Sequence, residues 1–382
     1  MKINLLKSSV VVPYLFLGII FTLFSYFFVD ANLILSHVPI VQSTLGSMHT
    51  FFLANRGLVA GLYVLILAGY FLQYFILLKI IGKFPHSFRY GFIPVFISVY
   101  AVLVFSYPAT SYDLFNYIAT AKVTFIHREN PYIIMPIDIA NDPVLAYTRA
   151  ANKTALYGPA WILMTAAPVL LGGGNVWITM VLFRIVTTLF LLLTAYIIYL
   201  LSDDLVKTAF FAFNPLVILE TGSAGHNDIV MIFFLMLSLY AIFGSAVKNR
   251  VVAYTSLFIS VLVKGVTIVM APFLFLRLHV QKVWRLAFWI LFAVFVVAGP
   301  IREELYPWYA VWFLPFAALL DGRKFEKGFA IALSVGLELR HVPYMVMGYY
   351  EGYGPILRIV CTILPITLYF LYLAARNKRS IL

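Results

Sequence analysis

The amino-acid sequence predicts an all-α polytopic membrane protein. Of its 382 residues, 63% are hydrophobic and 11% are charged, so the chain carries too few polar groups to cover the surface of a soluble fold of this length. Apolar runs of about the length that a helix needs to cross the hydrocarbon core recur along the chain. The net charge is +12, and most basic residues lie between these runs. Their distribution is therefore used to orient the helices in the membrane rather than as a sign of nucleic-acid binding.

The first apolar run follows Lys2 and Lys7 and covers residues 10–29. No small-residue cleavage site follows it, so we expect a retained transmembrane helix rather than a signal peptide. Further spans are predicted at residues 58–81, 91–107, 176–201, 229–244, 286–299, 308–320, 328–347 and 355–374. Shorter or interrupted runs lie at residues 157–171, 208–221 and 251–276.

Basic residues orient these helices. With a cytoplasmic N-terminus, 17 of the 27 Lys and Arg residues fall in cytoplasmic segments, 8 fall outside, and 2, Arg184 and Arg358, lie within spans. This distribution follows the positive-inside rule. The same topology places 11 of the 15 acidic residues outside. We therefore expect the functional residues to lie on the outer face of the membrane.

The interrupted runs predict helices that enter the membrane and turn back. The run at residues 251–276 begins and ends beside cytoplasmic basic residues, so it must go out and return, with Lys264 and Gly265 near the turn. The run at residues 157–171 begins outside, and the glycines at 172–174 would turn it. Broken helices are tolerated at membrane depth only where protein or water shelters their ends. We therefore expect a helical bundle with a cavity that opens outward.

One domain is predicted over residues 1–382, because no linker, charge block or low-complexity tract divides the chain. Its largest polar segment is an outer loop at about residues 108–156. An amphipathic surface helix is predicted in this loop from apolar residues at helical spacing, namely Leu114, Tyr117, Ile118, Ala121 and Phe125. Asp113 lies in the first turn of this helix, either as a plain capping residue or as a functional carboxylate at the membrane edge.

A set of short motifs follows in order along the chain. They are Tyr112-Asp113-Leu114-Phe115-Asn116-Tyr117, Asn130-Pro131-Tyr132, Tyr157-Gly158-Pro159-Ala160-Trp161, Phe213-Asn214-Pro215-Leu216, Gly225-His226-Asn227-Asp228, Lys264-Gly265 and Tyr306-Pro307-Trp308-Tyr309. Over roughly residues 90–320, the set resembles the polytopic GT-C glycosyltransferases, especially the polyprenol-phosphate-mannose-dependent mannosyltransferases. That resemblance implies a GT-C-like bundle of roughly 11–13 transmembrane or half-membrane helices.

The resemblance also implies an activity. Enzymes of that superfamily transfer a sugar from a polyprenyl-phosphate carrier to a glycan or lipid acceptor on the extracytoplasmic face, with inversion at the anomeric carbon. Their base is an acidic residue of the first large outer loop, which by motif position is Asp113. A carboxylate there can remove the proton of an acceptor hydroxyl. We therefore expect a mannosyltransferase in a prokaryotic plasma membrane, with cytoplasmic termini and an extracytoplasmic active site.

Polar residues of the other motifs are candidates for substrate binding. Lys264 is the first candidate for the leaving phosphate, because a lysine between two half-helices is unfavourable unless it faces an anion; a lysine that snorkels to the surface is the alternative. His226 and Asp228 are candidates for the acceptor hydroxyls or the phosphate. In the alternative, Asn227 or Asp228 caps the helix that follows, and His226 is a neighbour with satisfied polar atoms.

Other candidates lie close to the outer surface. Tyr157 directly follows the catalytic loop, and Tyr112 precedes the candidate base. Arg302 and Arg340 lie near the outer ends of their helices and could contact lipid headgroups, with interfacial anchoring as the alternative role. Arg128 could equally hold the surface helix to headgroups. A further group of aromatic residues is most simply interpreted as the belt at the membrane interface, namely Tyr306, Trp308, Tyr309 and Trp312.

No cofactor is required by this interpretation, since the chain has neither a Walker loop nor a dinucleotide fingerprint. A divalent metal bound by Asp113, His226 and Asp228 is an alternative that we do not favour, because the spacing is not diagnostic. The single cysteine, Cys361, excludes an intramolecular disulfide and a metal site with several thiolates.

The main alternative function is a multi-pass transporter or flippase for a lipid-linked or polar substrate, which would also need broken helices and an aqueous cavity. Such proteins are built from repeats, and we see no repeat here. A non-enzymatic membrane scaffold is a third alternative, although it would not require Asp113, Lys264 and His226 to converge on one outward cavity.

Overall fold

The computed structural model describes residues 7–29, 38–85, 88, 91–139, 141–244, 248–276, 278–301, 304–349 and 351–379. Its α-helices are, in chain order, α1 Val12–Ser25, α2 Pro39–Ala54, α3 Arg56–Lys83, α4 Phe92–Leu103, α5 Asp113–Phe125, α6 Pro159–Met164, α7 Ala166–Leu171, α8 Val176–Ser202, α9 Leu205–Ala212, α10 Pro215–Val217, α11 Asp228–Phe243, α12 Arg250–Val263, α13 Val280–Ile301, α14 Leu314–Leu319, α15 Lys324–Leu339, α16 Val342–Met347 and α17 Gly354–Arg379. Short 3₁₀ or π-helical segments adjoin several of them, at Lys7–Val11, Tyr26–Phe28, Pro136–Asp138, Pro143–Tyr147, Ile218–Ser223, Gly265–Leu274 and Pro307–Trp312. No strand occurs in these ranges, so the all-α class is confirmed.

Five helices are long and apolar enough to cross a membrane, namely Ser9–Phe28, Arg56–Lys83, Val176–Ser202, Val280–Gly299 and Gly354–Arg376. A sixth candidate is the bent pair of α9 and the segment Pro215–Ser223, whose halves meet at 51°. Shorter apolar helices fill the space between them. Across the part of the chain that the structure describes, this pattern confirms the predicted polytopic membrane protein.

Helix α17 shows how strongly the fold depends on lipid. Only 6% of its apolar window is buried against the rest of the protein, and large side chains such as Ile356 and Leu371 are exposed. A continuous exposed apolar surface of this kind marks a membrane contact rather than a water-facing helix. In contrast, α11 is buried between α8 and α12 at the centre of the bundle.

Three predicted spans are interrupted in the structure. The span predicted at residues 91–107 contains only the 12-residue helix α4. The span predicted at 308–320 is a 3₁₀ segment followed by α14, and the span predicted at 328–347 divides into α15 and α16 at Arg340 and His341. None of these pieces reaches the roughly 20 residues that a full crossing needs, so the prediction of continuous spans was wrong at these places.

Arg184 on α8 explains how one of these breaks is tolerated. Its guanidinium is buried and donates to the backbone carbonyls of Val104, just beyond α4, and Ser223, at the end of the π-helical segment. Backbone groups freed by a broken helix must find partners inside the protein, since lipid supplies none. The intramembrane charge noted in the sequence therefore joins two interrupted helices.

The predicted out-and-return run is confirmed. Helix α12 ends at Val263, Lys264 is extended, and the 3₁₀ segment Gly265–Leu274 follows. The two arms lie side by side, because the ring of Tyr254 near the start of α12 stacks on Phe275 at the far end, with centroids 5.7 Å apart. Lys264 therefore lies at the tip of a hairpin, as the sequence indicated.

Ion pairs agree with the predicted sidedness of the chain. Lys207 pairs with Asp321, and Arg285 pairs with Glu326, all four of which the sequence assigns to one face. Residues assigned to the opposite face meet at the other end of the bundle, as described below. One helix was not anticipated: α2 opens with a proline in its first turn, and its weak apolar periodicity gave no clear signal.

Candidate active site

A cavity of about 190 Å³ lies between the start of α5, the segment Pro307–Trp312 and the break between α15 and α16. Its charged and titratable lining residues are Asp113, Arg149, Glu304, Arg340, His341 and Arg358, and its aromatic ones are Tyr112, Tyr306, Trp308 and Tyr344. A small concave site with convergent polar groups and aromatic walls is the common form of a substrate pocket.

Asp113 presents its carboxylate to this cavity. It is the first residue of α5, its Oδ1 accepts a hydrogen bond from Asn116 Nδ2 at 3.3 Å, and its side chain remains 28% exposed. Burial raises the pKa of Asp113, while the charges of His226 and Lys264 act in the opposite direction without cancelling the increase. A carboxylate in contact with the cavity and with a raised pKa suits proton abstraction.

The contacts of the Asp113 side chain are not those of a helix-capping residue. The residue at the N-cap of α5 is Tyr112. The carboxylate instead contacts the side chains of Asn116 and His226. Asn116 also accepts the backbone N–H of Ala150 at 3.2 Å, and this bond anchors the outer loop beside the cavity where Arg149 lies.

His226 is placed beside Asp113 by a tight turn. Gly225 precedes it with a φ of +75°, a conformation that favours glycine. The imidazole is buried and stacks on Trp308, with ring centroids 3.9 Å apart and planes 14° from parallel. His226 Nδ1 lies 3.6 Å from Asp113 Oδ2, and Nε2 lies 3.2 Å from Glu220 Oε2.

Glu220 extends this contact to the far wall of the cavity. Glu220 was not among the predicted site residues, although an acidic residue in an apolar run is itself a signal of function. It is fully buried in the π-helical segment, and its Oε1 lies 3.2 Å from Nε2 of His341. Two residues that line the cavity, Asp113 and His341, are thus connected through His226 and Glu220.

Asp228 and Lys264 form a separate cluster next to the cavity. Lys264 Nζ donates to Asp228 Oδ1 at 2.8 Å, and Trp312 Nε1 donates to the same oxygen at 2.5 Å. The ammonium also lies 4.2 Å from the ring centroid of Tyr309. Neither Asp228 nor Lys264 is among the residues that line the cavity. The ammonium of Lys264 is therefore paired with the carboxylate of Asp228 rather than presented to the cavity.

The cavity's cations are Arg149, Arg340 and Arg358. Of these, the sequence indicated only Arg340, as a residue that could contact lipid headgroups. Arg340 donates to Glu304 Oε1 through Nε at 3.2 Å and Nη2 at 3.1 Å. Arg358 Nη1 lies 2.6 Å from the same oxygen. Arg149 lies over the ring of Tyr112, with Cζ 4.7 Å from the centroid. Three guanidinium groups therefore face two carboxylates, Glu304 and Asp113.

Tyr157 lies beside the site and supports it from outside the cavity. Its ring meets Tyr117 edge to face at 4.7 Å, and Tyr117 in turn hydrogen-bonds Asn227. The next residue, Gly158, approaches α12 so closely that a Cβ would stand 2.0 Å from the carbonyl oxygen of Leu262. The Tyr-Gly-Pro motif is thus a close backbone contact between the outer loop and the Lys264 hairpin.

Of the sequence candidates that the structure describes, Asp113, Tyr112 and Arg340 line the cavity and the others do not. Arg128 is exposed just beyond the end of α5 with a φ of +60°, and it is not a lining residue. Helix α5 itself is not the exposed surface helix that the sequence predicted, since nine of its 13 residues are buried. Arg302 lies outside the described residues.

One interpretation of aromatic residues was wrong. Trp308, Tyr309 and Trp312 are buried, at 8%, 5% and 2% exposure, so they do not form a lipid-facing belt. Trp308 lines the cavity, whereas Tyr309 and Trp312 contact Lys264 and Asp228.

The metal site considered from the sequence is not assembled. Asp228 is engaged by Lys264 and Trp312, and Asp113, His226 and Asp228 do not bring their ligand atoms together. Within the described ranges, the group of three potential ligands with atoms within 4.8 Å of one another is Glu220, Glu338 and His341.

Comparison with known proteins gives one match. The model of the MptA_B family, described as alpha-(1->6)-mannopyranosyltransferase, N-terminal domain, matches residues 17–280. This range includes Asp113, His226 and Lys264, and it ends before Glu304 and His341. No curated protein and no solved structure matches the chain.

Proposed function

The chain belongs to the MptA_B family of alpha-(1->6)-mannopyranosyltransferases, and on that basis we propose that it transfers mannose from a polyprenyl-phosphate-linked donor to an extracytoplasmic glycan or lipid acceptor. The reaction is direct displacement at the anomeric carbon. Inversion of a β-linked donor would give an α-linked product, in agreement with the family's description. The fold in this proposal is a GT-C-like bundle.

The observation that carries the proposal is the carboxylate of Asp113 in a cavity that also holds three arginines. Asp113 removes the proton of the acceptor hydroxyl while the acceptor oxygen bonds to the anomeric carbon. The bond from that carbon to the phosphate oxygen breaks, and its electron pair leaves with the polyprenyl phosphate. A base at this position contributes about 10²–10⁴-fold to such a step.

The leaving phosphate is held by Arg149, Arg340 and Arg358. Guanidinium groups suit this task because they are always charged and bind phosphate oxygens in pairs. Lys264 takes a different role from the one expected from sequence: it compensates the buried charge of Asp228 and keeps the hairpin tip next to the site. The aromatic side chains of Tyr112 and Trp308 complete the lining of the cavity.

The donor is tested by offering radiolabelled polyprenyl-phosphate mannose, or GDP-mannose, to membranes that contain the native chain or the variant Asp113→Asn. We expect label in membrane glycans from the lipid-linked donor alone, and only with native Asp113. Transfer from GDP-mannose would contradict the donor assignment. No transfer of label from any lipid-linked sugar would favour the transporter or flippase instead.

The orientation is tested by cysteine labelling. With Cys361 replaced by serine, single cysteines at the exposed positions 138 and 324 are treated with a membrane-impermeant maleimide in intact cells. We expect labelling at 138, in the outer loop, and protection at 324, at the start of α15. The reverse pattern would place the cavity and its carboxylate on the cytoplasmic side.

A further inference from the structure

Two glutamates and a histidine meet beneath the wall of the cavity. Glu220 comes from the segment Ile218–Ser223, Glu338 from the last turn of α15, and His341 from the break before α16. Both glutamates are fully buried, and the ligand atoms of all three residues lie within 4.8 Å of one another. None of the three has a part in the sugar-transfer step described above.

The contacts within this cluster provide partners for Glu220, which lies 3.2 Å from both His226 and His341, but not for the charge of Glu338. Tyr63 donates to Glu338 Oε2 at 2.9 Å, but Glu338 Oε1 is buried without a hydrogen-bond donor. A carboxylate removed from water is costly unless it is paired, hydrogen-bonded or bound to a metal. Two carboxylates side by side raise that cost further. A buried carboxylate oxygen without a donor, on a residue that adjoins a second carboxylate and an imidazole, indicates that something else belongs among them.

We propose that Glu220, Glu338 and His341 bind a divalent transition-metal ion of the Zn²⁺ type. One imidazole and two carboxylates are a donor set that suits Zn²⁺ and its neighbours, whereas Ca²⁺ and Mg²⁺ prefer six or more oxygens. Tetrahedral ligands about 2.0 Å from zinc lie about 3.3 Å apart. Glu220 Oε1 and His341 Nε2 lie 3.2 Å apart, at hydrogen-bond distance, and an ion could replace that contact with little change in their separation.

The surroundings have the form of a metal site. The hydroxyl of Tyr63 donates to Glu338 and so orients that ligand. Nε2 of His226 lies 3.2 Å from the second carboxylate oxygen of Glu220. Such outer partners fix the direction of metal ligands. His341 is 15% exposed and lines the cavity, which gives the ion a path inward and leaves room for a fourth ligand.

A bound ion would connect three elements that are otherwise interrupted. The π-helical segment, the end of α15 and the turn into α16 all adjoin broken spans. An ion that binds the folded chain stabilises it by an amount that grows with the ratio of its concentration to its dissociation constant. Binding of the ion does not depend on the proposed donor or acceptor, so the two proposals fail independently.

The test uses the purified full chain in detergent, first stripped with a chelator. Isothermal titration with Zn²⁺, and elemental analysis after desalting, should show one ion per chain. Thermal unfolding should show that the bound ion raises the Tm. Glu338→Gln and His341→Gln should weaken binding by more than the roughly 10–100-fold that follows loss of an outer partner.

The matched control is Glu326→Gln, because Glu326 is also buried on α15 but pairs with Arg285 at the other end of the helix. It should bind Zn²⁺ as the native chain does. Absence of stoichiometric ion from the native chain would overturn the proposal, and a proton would then neutralise the cluster. Equal binding by the native chain, Glu338→Gln and His341→Gln would overturn it as well.

Discussion

Two aspartates that look alike in the sequence occupy opposite environments. Asp113 and Asp228 each begin a helix, α5 and α11, and each is preceded by a short polar segment. Asp113 keeps 28% of its side chain exposed and faces the cavity, whereas Asp228 is 1% exposed and accepts hydrogen bonds from Lys264 and Trp312. One carboxylate can be reached by a substrate, and the other is enclosed.

The difference shows that access, rather than residue type, separates the two roles. A general base must come within hydrogen-bond reach of the group that loses its proton. A buried carboxylate must instead be matched by a cation, because its desolvation is otherwise uncompensated. Asp228 meets the second condition, and Asp113 has the exposure that the first requires. Each of the following predictions tests that division.

The largest effect is expected from removing the base. Asp113→Asn keeps the size and the polar contacts of the side chain but cannot accept a proton, so sugar transfer should fall by about 10²–10⁴-fold. The Tm should stay close to that of the native protein, because the nearest titratable partner of the Asp113 carboxylate, His226, lies 3.6 Å away. Initial rates and thermal unfolding of the detergent-solubilised protein measure the two quantities.

The control for this variant is Asp138→Asn, an exposed aspartate of the same outer loop. Its rate should match the native rate. A comparable loss of transfer in both variants would mean that the loop, and not the carboxylate of Asp113, determines the rate.

The second prediction concerns the enclosed pair. Lys264→Met leaves Asp228 buried without its cation, and breaking a buried pair on one side costs about 3–5 kcal/mol of unfolding free energy. The double variant Lys264→Met, Asp228→Asn should recover much of this loss, because no uncompensated charge remains. Denaturant unfolding in detergent measures both. A double variant less stable than Lys264→Met would contradict the pairing.

The third prediction returns to the open region. Arg358→Gln removes one guanidinium from the cavity, and a hydrogen bond to a charged group contributes about 1.5–3 kcal/mol. The KM for the lipid-linked donor should therefore rise about 10–100-fold. Lys153→Gln, an exposed cation of the outer loop, is the control and should leave the KM unchanged. An unchanged KM in Arg358→Gln would remove that residue from the phosphate site.

Much of the fold could be predicted from composition, whereas the far wall of the site could not. Asp113 was found because it follows an apolar run at the start of a polar loop. Glu304, His341 and Arg358 reach the same cavity from about 190 to 245 positions further along the chain, so no spacing in the sequence connects them to Asp113. Only the packing of the bundle brings them together.

The errors in the prediction have a common physical cause. Apolar runs were taken as continuous spans, but three are interrupted where backbone groups find partners inside the protein. The carbonyl of Val104, held by Arg184, is one such case. Trp308 and Trp312 were assigned to the lipid interface because aromatic residues are common there. In the structure they contact His226 and Asp228 instead.

The smallest predicted effect joins the two regions through charge alone. Burial raises the pKa of Asp113, the positive charge of Lys264 lowers it, and the negative charge of Asp228 raises it. A general base works when ionised, so the rate falls as the pH decreases through the pKa of Asp113. This acid limb should lie above the value of about 3.9 found for an unperturbed aspartate.

Variants of the enclosed pair should shift this limb in opposite directions. Lys264→Met removes a charge that lowers the pKa of Asp113, so the limb moves to higher pH, whereas Asp228→Asn moves it to lower pH. Each shift should be on the order of one pH unit or less. The pH dependence of kcat/KM measures them. Shifts of the same sign would show that the enclosed pair acts on Asp113 through structure rather than through charge.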